Sequence, residues 1–248
     1  MSIVNVLKFN ENAGAMISDE EYWVWGRRKS FFTDHIYRIG GSSLPAESDM
    51  ELVYGGTGHP PFHYELIDHL RKRLDTLSAA DGYEKRPTNT ENVGYLLLEE
   101  AQKAIQRRVN DHLSFLYGLT IDDVNRGSFE SSGKQYDIKQ PKIKDDVTKI
   151  VLQQGKNELL KPLYKSRGVL MGLDREIGFS CYYLNYDKSV LAFSSGGFEA
   201  VGSGKYASGI VLGQYLNNRN LAERRRGIDP VEGVFTLFLS ALTAAESF

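Results

Sequence analysis

Apolar positions in the first 54 residues mostly alternate with polar ones. Further on they recur every three or four residues, and the two rhythms then exchange once more. Residues 3–9 alternate Val4 and Val6 with polar neighbours, Asn10-Glu11-Asn12 supplies a turn, and residues 13–18 resume as a second strand. Residues 22–25, 35–39 and 50–54 predict three more short strands, the last ended by Gly55-Gly56. After Pro60-Pro61 the rhythm becomes helical. Phe62, Leu66, Leu70, Leu74 and Leu77 form one stripe, and a longer helix over 91–117 aligns Val93, Leu97, Ala101, Ala104, Ile105, Val109, Leu113 and Leu116. Both stripes predict core.

Residues 119–165 keep neither rhythm and read as a surface excursion with one short helix near 145–154. Strand patterns return at 169–173, 179–185, 190–193 and 198–201. A helix follows Gly202-Ser203-Gly204, with Tyr206, Ala207, Ile210, Val211 and Tyr215 in period. In the last helix Asp229 caps, Pro230 occupies the first turn and Glu232 completes a box-like pair. Its predicted apolar face is Val231, Val234, Phe235, Phe238, Leu239 and Leu242.

Strands joined by tight turns predict antiparallel sheets, with the helices layered outside them. The expectation is one α+β domain over 1–248, a four-layer αββα sandwich of two antiparallel sheets flanked by helices.

Composition narrows the function. The net charge of −2 and pI near 6.2 give no basic field for nucleic acid or an anionic membrane. The Arg224-Arg225-Arg226 run reads as a solvated loop or helix end. Cys181, the single cysteine, excludes an internal disulfide and lies in an apolar run that predicts a buried thiol. No apolar run reaches the ~18 residues of a membrane span, and residues 1–5 lack the pattern of a signal peptide, so the expected location is cytoplasmic.

Several motifs fail on chemistry. Gly202-Ser203-Gly204-Lys205 lacks a phosphate loop's earlier glycine, since 199 is Glu199, and its following hydroxyl, since 206 is Tyr206. His59, His63 and His69 run from a loop into a helix without a shared face, so they read as surface histidines rather than metal ligands. Glu99 and Glu100 point about 100° apart on a helix and suit solvent. Neither metal nor cofactor is expected.

Three stretches resemble one known family. They are 2–9 with Gly14-Ala15-Met16-Ile17-Ser18-Asp19, then 169–204 with Gly172-Leu173-Asp174 and Gly202-Ser203-Gly204, then Ile228-Asp229-Pro230-Val231-Glu232 with the helix ending Ala244-Ala245-Glu246. In order and spacing they resemble the proteasome β-type subunits, which are N-terminal-nucleophile hydrolases, as a divergent bacterial or archaeal-type relative. The resemblance implies a nucleophile at Ser2, freed by loss of Met1, whose own α-amine is the base. It implies an acidic partner at Asp19 and a serine at Ser203. It places His35 where the family has an essential lysine, with Lys29, Arg27 or Arg28 as alternative cations from the preceding loop. It also implies two further strands with another Asp and Ser, whereas this chain stops at Phe248. Two readings follow. One is an amide-bond hydrolase acting on peptides or proteins and assembling into rings or dimers. The other is a catalytically silent scaffold or binding subunit of the same fold.

Overall fold

The first strand is buried at nearly every position because both of its faces are covered. In the computed structural model, which describes residues 2–19, 21–24, 27–30, 35–39, 50–79, 87–138, 145, 163, 165–174 and 177–247, β1 (Ile3–Asn10) lies at the centre of a three-stranded antiparallel sheet. Its neighbours are β2 (Ala13–Ser18) and β12 (Phe198–Gly202). Val4 and Val6, with Val201 of β12, face a second sheet, where they meet Val169, Phe179 and Cys181. Leu7 and Phe9 face the other way, toward Leu212, Ile228 and Leu237.

The second sheet has five antiparallel strands, in the order β11 (Val190–Phe193), β10 (Gly178–Asn185), β9 (Arg167–Asp174), β6 (Glu51–Thr57) and β5 (Ile36–Ile39). The pleat sends alternate side chains to opposite faces. Leu52, Tyr54, Leu170 and Leu184 therefore meet α1 (Pro60–Ala79) and α2 (Thr90–Tyr117) in the largest buried cluster. The fold is α+β with antiparallel sheets and flanking helices, as the patterning predicts.

β6 runs on through Gly55 and Gly56 to Thr57 rather than ending at them. Those glycines are points of close approach. A Cβ on Gly55 would crowd Val4 of the other sheet at 2.5 Å, and one on Gly56 would overlap the His63 ring. β9 is fastened to the start of α2 by Asp174, whose buried carboxylate accepts from both the N–H and the hydroxyl of Thr90 at 2.9–3.2 Å.

Two hairpins lie apart from the main sheets: β3 (Glu21–Val24) with β4 (Arg27–Ser30), and β7 (Ser128–Ser131) with β8 (Lys134–Asp137). The second follows α3 (Ile121–Arg126) inside the stretch expected to be an irregular excursion. The short helix expected near 145–154 lies outside the described residues, Asp145 excepted.

The C-terminal helices reverse an expectation. α4 (Lys205–Asn218), α5 (Leu221–Arg226) and α6 (Pro230–Glu246) follow β12, and Asp229 caps α6 by accepting from Val231 and Glu232 N–H. The predicted apolar face of α6 points outward, with Val231 78% and Phe235 60% exposed. The side facing β1 is mostly small, with Gly233, Thr236, Ser240 and Ala244 around a single large apolar residue, Leu237. Close approach explains this, because a Cβ on Gly233 would overlap the Phe9 ring. Buried Asn5 bonds Ser240 at 2.9 Å and Ser208 of α4 at 3.0 Å. In α4 the buried residues are likewise Ser208 and Leu212, while Tyr206 and Ile210 are exposed.

Elsewhere the structure refines single residues. Cys181 is buried, and burial pushes its thiol well above the ordinary range. The Arg224-Arg225-Arg226 run is the last turn of α5, where cations meet the negative helix end. Glu100 is not a solvent carboxylate. It is buried and held by Arg73 at 3.0 Å and Lys103 at 2.7 Å, and Arg73 also grips Glu99, joining α1 to α2. Among the described residues no helix is long and apolar enough to cross a membrane.

Candidate functional site

The two strands beside β1 carry Asp19 and Ser203 to the same end as Ser2. In the β1–β2 hairpin Val4 pairs with Ser18, so the next residue, Asp19, lies beside Ile3. Its carboxylate accepts the Ile3 N–H at 2.7 Å, and its own N–H reaches the Ile3 carbonyl at 3.3 Å. On the other side Ile3 pairs with Gly202, which brings the Ser203 N–H to the Ser2 carbonyl at 3.1 Å. Gly202 has φ 109°, a conformation that favours glycine, and a Cβ there would overlap the Ser2 carbonyl.

Ser2 and Ser203 line a cleft of about 810 Å³ together with residues of β11 and β12, edge strands of the two sheets. Ser2 is half-buried and Ser203 exposed. Asp19 is half-buried, and burial pushes its carboxyl up to about 6, against the Ile3 N–H, which favours the charged form.

His35 has a different setting. It is buried just before β5, its carbonyl accepts the Gly56 N–H at 2.9 Å, and its Nδ1 lies 3.2 Å from the Gly56 carbonyl oxygen. It does not line the cleft. Arg27, Arg28 and Lys29 belong to β4, a strand rather than a loop, and their side chains lie outside the described part. The cleft instead collects Lys165, Arg167 and Lys205. The sequence held one hint of this, since Lys205 directly follows Gly202-Ser203-Gly204. Nothing periodic marks Lys165 or Arg167, because their position depends on how the start of β9 meets the end of β12.

A buried polar chain starts at the cleft wall. The Thr57 carbonyl lies 2.9 Å from His63 Nε2, so that nitrogen carries the proton. His63 Nδ1 then accepts from the Tyr54 hydroxyl at 2.6 Å, and Tyr54 accepts from Tyr186 at 2.6 Å. Burial pushes the His63 imidazole down to about 4. His63 is therefore a core residue and not the surface histidine expected. His59 is half-buried, with its N–H on Ser166 Oγ at 3.0 Å, and His69 Nδ1 lies 2.7 Å from an Arg107 nitrogen. Among the described residues no three His, Cys, Asp or Glu side chains gather where they could hold a metal ion.

No family model matches this sequence, and no curated protein matches it. Solved structures do. A Gly-1 mutant of Anbu from Hyphomicrobium sp. strain MC1 matches with TM-score 0.59 and 6% identity, over 100% of this chain and 75% of its own. Anbu from Yersinia bercovieri, described as an ancestral beta-subunit, matches with TM-score 0.59 and 9% identity over 99% of this chain and 76% of its own. The Anbu complex of Pseudomonas aeruginosa, solved as a helical assembly, matches with TM-score 0.58 and 12% identity over 100% and 75%. Identities this low carry the fold alone.

These matches correct the family named from the sequence. The similar structures are Anbu, related to the proteasome yet distinct from it, and not proteasome β-type subunits. The stretches behind that resemblance are β1–β2, β9–β12 and α6, which build the frame. A frame shared by related families does not tell them apart.

Proposed function

We propose that this chain is an Anbu-like, self-associating subunit that cleaves amide bonds through the Ser2 hydroxyl once Met1 is removed. The observation that carries this reading is the meeting of Ser2, Asp19 and Ser203 at one end of β1, with Ser2 and Ser203 opening onto a cleft. In the reaction the Ser2 oxygen attacks the substrate carbonyl carbon while its α-amine, titrating near 7.7–8.0 in a free terminus, takes the hydroxyl proton. Backbone N–H groups near Ser203 hold the developing oxyanion. Collapse expels the amine product with that proton, and water then hydrolyses the Ser2 ester. Asp19, ionised above about pH 6, sets the negative side of the local field. His35 supports the join of β5 and β6 rather than touching substrate.

The architecture in this reading is the four-layer αββα sandwich, with residues 1–248 as one domain and 119–165 as its excursion. Three separate buried clusters support it: one between α1–α2 and the five-stranded sheet, one between the sheets, and one between the three-stranded sheet and helices α4 and α6. The outward apolar face of α6 supports self-association, since a large exposed apolar patch marks an interaction surface. The assembled Anbu of Pseudomonas aeruginosa supports it too.

A second reading, a catalytically silent subunit, is favoured by one observation: the expected lysine position carries His35, whose described bonds are to Gly56. Ser2→Ala decides between them. Hydrolysis of a fluorogenic peptide panel that is lost in Ser2→Ala supports the enzyme. Equal rates in both proteins, or no turnover in either, support the silent subunit.

A further inference from the structure

We infer that the cleft beside Ser2 is an acid-selective subsite, built to take the side-chain carboxylate of an Asp or Glu next to the amide bond presented to Ser2. That the occupant is a substrate rests on the proposed function above; the binding preference does not.

The cleft's sign is opposite to that of the molecule. The chain carries a net charge of −2, yet Lys165, Arg167 and Lys205 all line this one cavity. They come from two segments distant in sequence, the start of β9 and the start of α4, so the fold brings them together. Among the described residues Glu199 is the single carboxylate in the lining. Its Oε1 accepts the Ala200 N–H of its own strand at 3.2 Å, and burial raises its pKa while Lys205 acts the other way. Gly204, at the start of α4, has no side-chain capping bond, so the first N–H groups of that helix add positive potential on the same side.

The neutral lining suits a peptide better than a bare anion. Tyr183, Phe193, Phe198 and Tyr206 offer apolar walls for the methylenes of a glutamate and for neighbouring side chains. A volume of about 810 Å³ is enough for a few residues. Clustered charge inside concave, low-dielectric walls is felt more strongly than on an open surface.

The test uses the full chain carrying Ser2→Ala, so that binding is measured without turnover. N-acetyl-Ala-Ala-Glu-amide and N-acetyl-Ala-Ala-Gln-amide are titrated calorimetrically at low ionic strength. The glutamate peptide is expected to bind about tenfold more tightly, with the advantage shrinking as salt is added. Lys165→Gln with Lys205→Gln, both exposed side chains, should erase the difference while leaving the melting temperature in place. Equal affinity for the two peptides overturns the inference, as does a preference that survives the double variant. Absence of hydrolysis in the unmutated chain overturns only the enzyme reading, so the two failures are separable.

Discussion

Gly202 stands at φ 109° against the Ser2 carbonyl, so closely that any side chain there would overlap the oxygen. The positive φ and the contact act together, and Gly202→Ala meets both. We expect it to cost about 1–3 kcal/mol of stability, measured by urea unfolding. Because the Ser203 N–H reaches Ser2 through this turn, any amide hydrolysis should fall with it.

His63 gives the protein an acid-labile core. Its folded pKa of about 4 lies below the unfolded value of 6.5, so between those values the unfolded chain binds more protons. Stability is therefore lost as pH falls from 6.5 toward 4, by about 3 kcal/mol for a fully buried group. Asp19 acts with the opposite sign. Its folded pKa of about 6 lies above the unfolded 3.8, so its ionisation costs stability above pH 6 and stability is regained as pH falls from 6 to 3.8. Partial exposure weakens that contribution. Unfolding free energy measured from pH 7 to 4 should flatten in His63→Gln and fall more steeply in Asp19→Asn.

The Asp174–Thr90 clamp should matter to the fold alone. Thr90→Val keeps the backbone N–H bond but removes the hydroxyl donor from a buried carboxylate. A loss of about 1–3 kcal/mol is expected in urea melts.

The outward face of α6 should control assembly. Phe235→Ser with Phe238→Ser, both exposed, removes apolar area from the proposed contact without touching the helix's inner side. Light scattering should show the unmutated chain above its 27.9 kDa subunit mass and the double variant at that mass, with unchanged helix content.

Much of the frame was readable in the chain, for reasons visible residue by residue. The stripe Phe62, Leu66, Leu70 and Leu74 follows from burial, which periodicity reports directly, whereas β1 reads as alternating and is buried on both faces. His63 was misread because Pro60-Pro61 suggested a surface loop. Its spacing from Leu66, Ile67 and Leu70 places it on the buried stripe, which was the available signal. The β7–β8 hairpin escaped notice because it packs largely on itself, through Phe129 against Tyr136 at 5.6 Å, and so shows no core-directed alternation. On α6 the usual rule failed outright. The helix sits so close to β1 that, Leu237 apart, small residues fill its inner side, and most of its large apolar side chains face outward. The cleft cations were the least legible, because no local pattern encodes the meeting of two strand ends.

Everything chemical here depends on a free amine and a hydroxyl on the same terminal serine. The direct measurement is the intact mass of the natively expressed chain before and after treatment with a peptide epoxyketone, which needs both groups to form its ring adduct. The account predicts a mass lacking Met1 and a single adduct mapped to Ser2, absent in Ser2→Ala. A chain that keeps Met1, or a processed chain that stays unlabelled, contradicts it.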